Sequence, residues 1–369
     1  MMNIPFVDLE AQYVSIKADI DLAISNVVEE KIFIGGKRVQ EFEREFALAY
    51  GVKHCISAGN GTDTLYIIMK MLGIGEGDEV ITVANSWISS SETITQAGAK
   101  IVFSDIHPEY YSMDESKIEE KITPRTKAIL VVHLQGQACE MDTIQEICKR
   151  YNLLLIEDCA QAHFSEFGGK LVGTFGIAAS FSFYPGKNLG AYGDAGCIIT
   201  NNDQVAEKLK MYARHGALVK HQHKIEGINS RMDSIQAAIL TQKLKHILTW
   251  NQGRIRAANL YDVALKGIQE IIIPSVRPDT LHTFHLYVIQ ARQRDKLMEY
   301  LKVRGIETAI HYPTPLPFLE AYKYLNHHPE DFPVAYNLQS EILSLPMYPE
   351  LSESQINYVA SSIKKFYSE

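Results

Sequence analysis

The chain has 369 residues, a formal net charge of −8, 46% apolar residues and 22% charged residues. That balance is ordinary for a globular protein, and without a long basic block it argues against nucleic-acid or anionic-membrane binding. No apolar run approaches the roughly 20 residues that span a bilayer.

Seven short, nearly continuous apolar runs read as strands: VKHCISA (52–58), DEVITVA (78–84), AKIVFSD (99–105), TKAILVVHL (126–134), NLLLIED (152–158), AASFSF (178–183) and AGCIIT (195–200). Helical spacing separates most of them, as in GTDTLYIIMKML and MDTIQEICKRY. This alternation predicts an α/β fold with right-handed crossovers and a mostly parallel sheet covered on both faces. Ligands in such sheets sit at the carboxyl ends of the strands. After about residue 248 the pattern changes to a long helix, a strand-like HTFHLYVIQA, the turn segment IHYPTPLP and an amphipathic final helix. Ser352 and Gln355 form a capping box for that helix. The expected division is a large domain, 1–248, and a smaller α+β domain, 249–369.

The five cysteines include no Cys-x-x-Cys pair. Reduced thiols, no metal site and a cytoplasmic location are expected, since the opening MMNIPFVDLEAQY does not read as a secretory leader. Cys159 reads as a small buried residue in preference to a nucleophile.

Three strand ends draw attention. Asp158 closes the run LLLIED; it either caps the next segment or meets a cation. Gly59-Asn60-Gly61-Thr62 joins a strand to a helix, as a plain turn or as an anion site built from backbone N–H groups. It lacks the third glycine of a dinucleotide fingerprint, which argues against a nicotinamide-dependent dehydrogenase. The glycines of LGIGEGDEV precede a strand and read as a helix end and turn. Lys187 lies in FSFYPGKNLGAYGDAG, among small residues between two apolar runs. A lone loop lysine is ordinarily solvated. An amine that condenses with an aldehyde, a carboxylate for a pyridinium nitrogen and a turn for a phosphate are together the protein's share of a pyridoxal phosphate (PLP) site.

The segments IPFVDLEAQY, SAGNGTDTL, IEDCAQAH, FSFYPGKNLGAYGDAG, NSRMDSIQAA and HYPTPLP closely resemble the nucleotide-sugar aminotransferases of the DegT/DnrJ/StrS type. The resemblance covers almost the whole chain. It implies a fold-type-I PLP enzyme, a homodimer with shared active sites, in which Lys187 bonds the cofactor and Asp158 faces its ring nitrogen. It further implies Gln161 near the phenolic oxygen, Trp87 stacked on the ring, Gly61, Thr62 and Ser182 at the phosphate, and Asn229 reaching in from the partner. Tyr184, His311 and Tyr312 are the candidate sugar contacts, with 311–313 otherwise an ordinary turn. The segment 214–224 is either a diphosphate contact or a solvated loop. YPGKNLGA looks like the branch that aminates carbon 3 of a dTDP-linked keto-deoxysugar, with an amino acid, expected to be glutamate, as donor. The alternatives are the carbon-4 branch, a sugar dehydratase, in which histidine would stand at Lys187, and a non-catalytic PLP-binding regulator. One departure is Gln135, where an aromatic or similar residue is expected.

Overall fold

The computed structural model describes residues 2–368. Its strands are β1 (His54–Ala58), β2 (Glu79–Val83), β3 (Lys100–Ser104), β4 (Thr126–Val132), β5 (Leu154–Asp158), β6 (Glu166–Phe167), β7 (Lys170–Leu171), β8 (Ala178–Ser182), β9 (Gly196–Thr200), β10 (Ile271–Ile272), β11 (Thr280–Leu281), β12 (Tyr287–Ala291) and β13 (Ile342–Leu345). Seven of them form the central sheet in the order β1-β9-β8-β5-β4-β2-β3. The pairs β2–β3, β2–β4, β4–β5 and β5–β8 are parallel, whereas β9 runs antiparallel to both β8 and β1. The α/β class and mostly parallel sheet expected from the sequence are therefore present, with one reversed strand.

Helices cover the sheet, so its strands are buried along nearly their whole length, as in β2 and β9. This explains why they read as unbroken apolar runs. The helix Gly61–Met71 begins where Asn60 Oδ1 accepts a hydrogen bond from the Asp63 N–H at 2.8 Å. It packs Leu65, Ile68 and Met69 inward. The glycines of LGIGEGDEV include two at positive φ, Gly73 and Gly77, as a helix end and turn require.

Because β1, β5 and β8 share one direction, Ala58, Asp158 and Ser182 end on the same edge of the sheet. The reversed β9 starts on that edge at Gly196. The loop carrying Lys187 is thus a hairpin-type connection between neighbouring strands.

A second apolar cluster holds Tyr261, Tyr287, Leu297, Leu343, Val359 and other late residues, together with Ile4 from the start of the chain. Its strands β10, β12 and β13 form a separate three-stranded antiparallel sheet. The helix Ile247–Leu265 leads into this part. In the last helix, the Ser352 N–H donates to Gln355 Oε1 at 2.9 Å and the Gln355 N–H to Ser352 Oγ at 3.3 Å, so the capping box forms. No helix among the described residues is long and apolar enough to cross a membrane.

Candidate active site

A cavity of about 820 Å³ opens at the strand-end edge. Gly61, Thr62, Trp87, Asp158, Gln161, Ser182, Tyr184, Lys187, His311 and Tyr312 all line it. The structure therefore gathers ten of the eleven candidate residues, drawn from five separate stretches of chain. Asn229 is the exception: it is exposed, accepts from Arg231 Nε at 2.9 Å and does not line the cavity of its own chain. The segment 214–224 also lies elsewhere, along a second cavity with Arg231 and Ile34.

Lys187 is half-buried at the foot of this cavity. Burial lowers its pKa to about 8, opposed by the charge of Asp158. Asp158 is buried, and its pKa is raised by that burial. The Ala160 N–H and Ser90 Oγ donate to its carboxylate, each at 3.0 Å, and Lys187 adds an opposite charge. Each charge partly offsets the burial that disfavours the other's ionised form.

The space at position 61 suits glycine. A Cβ would come 2.7 Å from Ser182 Cβ, and one on Gly196 would meet the Asn60 carbonyl at 2.6 Å. The turn is therefore pressed between the end of β8 and the start of β9. The first-turn N–H groups of the helix Gly61–Met71 have no partners within the helix. With the Thr62 and Ser182 hydroxyls they form a donor set suited to a phosphate dianion. Thr62 Oγ1 is held by Ser89 Oγ at 2.7 Å, and the Gly59 N–H donates to Ser230 Oγ at 3.0 Å. A phosphate cradle, an amine and a buried carboxylate in one cavity fit pyridoxal phosphate.

The wall opposite is aromatic. Trp87 is 59% exposed and lies 5.8 Å from the Tyr312 ring, centroid to centroid. Gln161 Nε2 donates to Tyr312 Oη at 2.9 Å, while its Oε1 accepts from the Gln135 N–H at 2.7 Å. Gln135 has a positive φ of 62° and a buried side chain. At this departure from the resemblance, the backbone performs the contact to Gln161. His311 stacks on Phe6 with ring centroids 5.6 Å apart, and burial lowers its pKa to about 4.

Sequence reasoning missed Ser90, Phe6 and His285. Ser90 stands three residues after Trp87 in ANSWISS, but a serine there carries no pattern of its own. Phe6 and His285 line the cavity from distant parts of the chain. His285 Nδ1 lies 3.2 Å from Asn188 Oδ1, beside Lys187 in sequence.

On the other face of β5, Glu157 accepts from the N–H groups of Gly173, Phe175 and Gly176 at 2.6–2.7 Å. His133 Nε2 lies 3.1 Å away, while His133 Nδ1 accepts from the Cys139 N–H. His133, Glu157 and Cys159 could in principle gather a metal ion, but these bonds already engage Glu157 and His133.

Residues 14–364 match the DegT/DnrJ/EryC1/StrS aminotransferase family. A pleiotropic regulatory protein of Geobacillus stearothermophilus is 42% identical over 99% of both chains. The dTDP-3-amino-3,6-dideoxy-alpha-D-galactopyranose transaminase of Aneurinibacillus thermoaerophilus is also 42% identical, over 98% of this chain and 99% of its own. The crystal structure of S. venezuelae DesV in complex with a ketimine intermediate superposes with a TM-score of 0.98 over 100% of both chains, at 36% identity. That of NtdA from Bacillus subtilis, with bound cofactor PMP, gives 0.91 at 30% identity, over 100% of this chain and 86% of its own. By sequence and by fold, the chain belongs to the DegT/DnrJ/EryC1/StrS aminotransferase family.

Proposed function

We propose that this enzyme uses pyridoxal phosphate to move an amino group from an amino acid, glutamate by preference, to carbon 3 of a dTDP-linked 3-keto-6-deoxyhexose. The observation that carries the reading is the meeting of Lys187, Asp158 and the Gly61–Thr62–Ser182 cradle in one cavity. The cofactor supplies, when bound, an aldehyde that condenses with amines and a ring that takes up an electron pair.

Lys187 offers the amine and, once freed by the donor, carries the proton at the substrate carbon. Its lowered pKa leaves a useful fraction neutral near pH 7.5. Asp158 would hold the ring-nitrogen proton. Gln161, braced by Gln135 and Tyr312, would lie near the phenolic oxygen. Gly61, Thr62 and Ser182 would bind the phosphate, and Trp87 would cover one ring face. Tyr184, His311 and Tyr312 are assigned to the sugar. Asn229 of the partner subunit completes the phosphate site, which accounts for its absence from the cavity of its own chain.

The named transaminase relative supports the carbon-3 assignment, and the neighbour with bound PMP supports the cofactor. The five buried, unpaired cysteines support a cytoplasmic location. The second apolar cluster supports a smaller C-terminal part, divided at 248/249, although Ile4 joins that cluster and Trp250, Leu286, Leu316, Tyr322 and Phe332 pack into the first. A second reading, cofactor binding without turnover, rests on the relative whose name is regulatory.

The test is to load the protein with pyridoxal phosphate, reduce with borohydride and map the labelled peptide. Label on Lys187 and its loss in Lys187→Ala support the site; label on another lysine overturns it. Bleaching of the near-visible absorbance by glutamate excludes the binding-only reading. Incubation with a panel of ketosugar nucleotides and product identification then settles the carbon.

A further inference from the structure

Beneath the Lys187 loop lies a second lysine that the proposed chemistry does not use. Lys243 is fully buried, 0% exposed. Among the described residues it forms no ion pair, although the charge of Glu350 acts on it. Its Nζ donates to the Gly190 carbonyl at 2.5 Å and lies 5.1 Å and 5.8 Å from the ring centroids of Tyr192 and Trp250. Burying an amine without a hydrogen-bonded counter-charge is costly. A methionine would fill the same space without that cost, so the amine calls for a reason beyond packing.

The geometry of the loop supplies one. Gly190 presses against its other limb: a Cβ there would come 2.3 Å from the Pro185 carbonyl oxygen. The Lys187 N–H donates to the Tyr184 carbonyl and the Ala191 N–H to the Phe183 carbonyl, closing the loop on itself. A shift of Gly190 is therefore passed directly to Pro185 and Gly186, which set the base of Lys187. Gln236 lies seven residues before Lys243, on the same face of the helix Ser234–Leu244. Its Oε1 accepts from the Tyr192 N–H at 2.8 Å. Asn251, on the next helix, accepts from Asn188 Nδ2 at 2.9 Å. Three side chains from two helices thus hold positions 188, 190 and 192, the whole return limb of the loop.

We propose that Lys243 is a positioning residue for Lys187, acting through the Gly190 carbonyl and the Gly190–Pro185 contact, with Gln236 as the second point of the same clamp. Burial lowers the pKa of Lys243 to about 7, opposed by the charge of Glu350. The amine donates to a carbonyl in either protonation state. The proposal rests on Lys187 being the residue that bonds the cofactor.

The test compares cofactor-loaded wild type with Lys243→Met, which keeps the length of the side chain and removes its donor. A reacting group displaced by an ångström loses on the order of 10²-fold, so kcat is expected to fall about 10- to 100-fold. Because the lesion acts on the reacting lysine, KM for both substrates stays within about threefold. The midpoint of the pH titration of the cofactor absorbance moves by about half a unit or more, because the altered lysine position changes its environment. A simple loss of stability would lower Tm and leave that midpoint in place. Wild-type kcat and an unmoved midpoint in folded, fully loaded Lys243→Met overturn the proposal. If that variant does not fold, Gln236→Leu is read the same way: a moved midpoint with reduced kcat supports the clamp, and an unchanged enzyme overturns it. Borohydride mapping of wild type separates the two levels. Label away from Lys187 refutes the underlying site, whereas label on Lys187 with unaffected variants refutes only the clamp.

Discussion

At the level of single residues, the proposed chemistry turns on two opposed ionisations. With a pKa of about 8, roughly a quarter of Lys187 is neutral at pH 7.5, against about 0.1% for an unperturbed lysine. Among the lysines, Lys243 being fully buried, cofactor-free protein should therefore react with an amine-directed reagent first at Lys187. The rate should rise with pH and reach its half-maximum near pH 8; peptide mapping across a pH series checks this, and a midpoint above 10 would show an ordinary surface amine. Asp158→Asn should keep the cofactor bound, because the phosphate cradle is untouched, yet slow turnover by about 10²-fold or more as the ring-nitrogen proton loses its counter-charge. Cofactor stoichiometry and single-turnover rates measured together distinguish this from a capping role. Asp158 drew attention in the sequence as a carboxylate closing an apolar run, which is costly to bury; Lys187, a lone loop lysine that is ordinarily solvated, took its candidate role from the resemblance of its segment. Ser90 and the Gln135 N–H were not legible: one is a common residue, and the other acts through its backbone, which carries no side-chain signature.

At the level of elements, apolar runs located all seven strands of the central sheet to within two residues at either end, since both faces are buried. The reversed direction of β9 was not legible. Burial makes strands look alike whichever way they run, and direction is set by connections and ladder pairing. The return of Ile4 to pair with Ile306 was hidden for a similar reason, as contacts across such a sequence separation leave no local pattern. The close approach of the Gly61 turn to β8 has a measurable consequence. Gly61→Ala forces a Cβ against Ser182, and overpacking of this kind costs about 1–3 kcal/mol. Because the strained contact lies in the cradle, cofactor affinity should fall about tenfold or more, read by equilibrium titration of absorbance. The circular dichroism spectrum should not change.

At the level of the whole molecule, the exposed Trp87 and Tyr184 at the cavity mouth and the outward-facing Asn229 argue for a site completed by a second chain. Loss of one hydrogen bond to a charged phosphate costs about 1.5–3 kcal/mol, so Asn229→Asp, which adds a like charge, should empty the site. Mixing inactive Lys187→Ala with inactive Asn229→Asp should then restore activity. Each hybrid dimer has one site with both native residues and one with both lesions. No recovery after verified subunit exchange would return Asn229 to a local role beside Arg231.

The position of β1 at the end of the sheet order carries a further consequence. A terminal strand breathes more readily than its interior neighbours, and β1 leads into the turn proposed as half of the phosphate cradle. The other half belongs to β8, across the reversed β9. A phosphate held by both halves acts as a staple over the three outermost strands, so occupancy of the site and closure of the sheet margin become one equilibrium. Amide exchange at Cys55–Ala58, followed by mass spectrometry, should slow on loading with cofactor while exchange in β4 stays unchanged. Where β1 opens independently of the rest and only the closed margin binds, the slowing approaches 100-fold at a free ligand concentration about 100 times Kd.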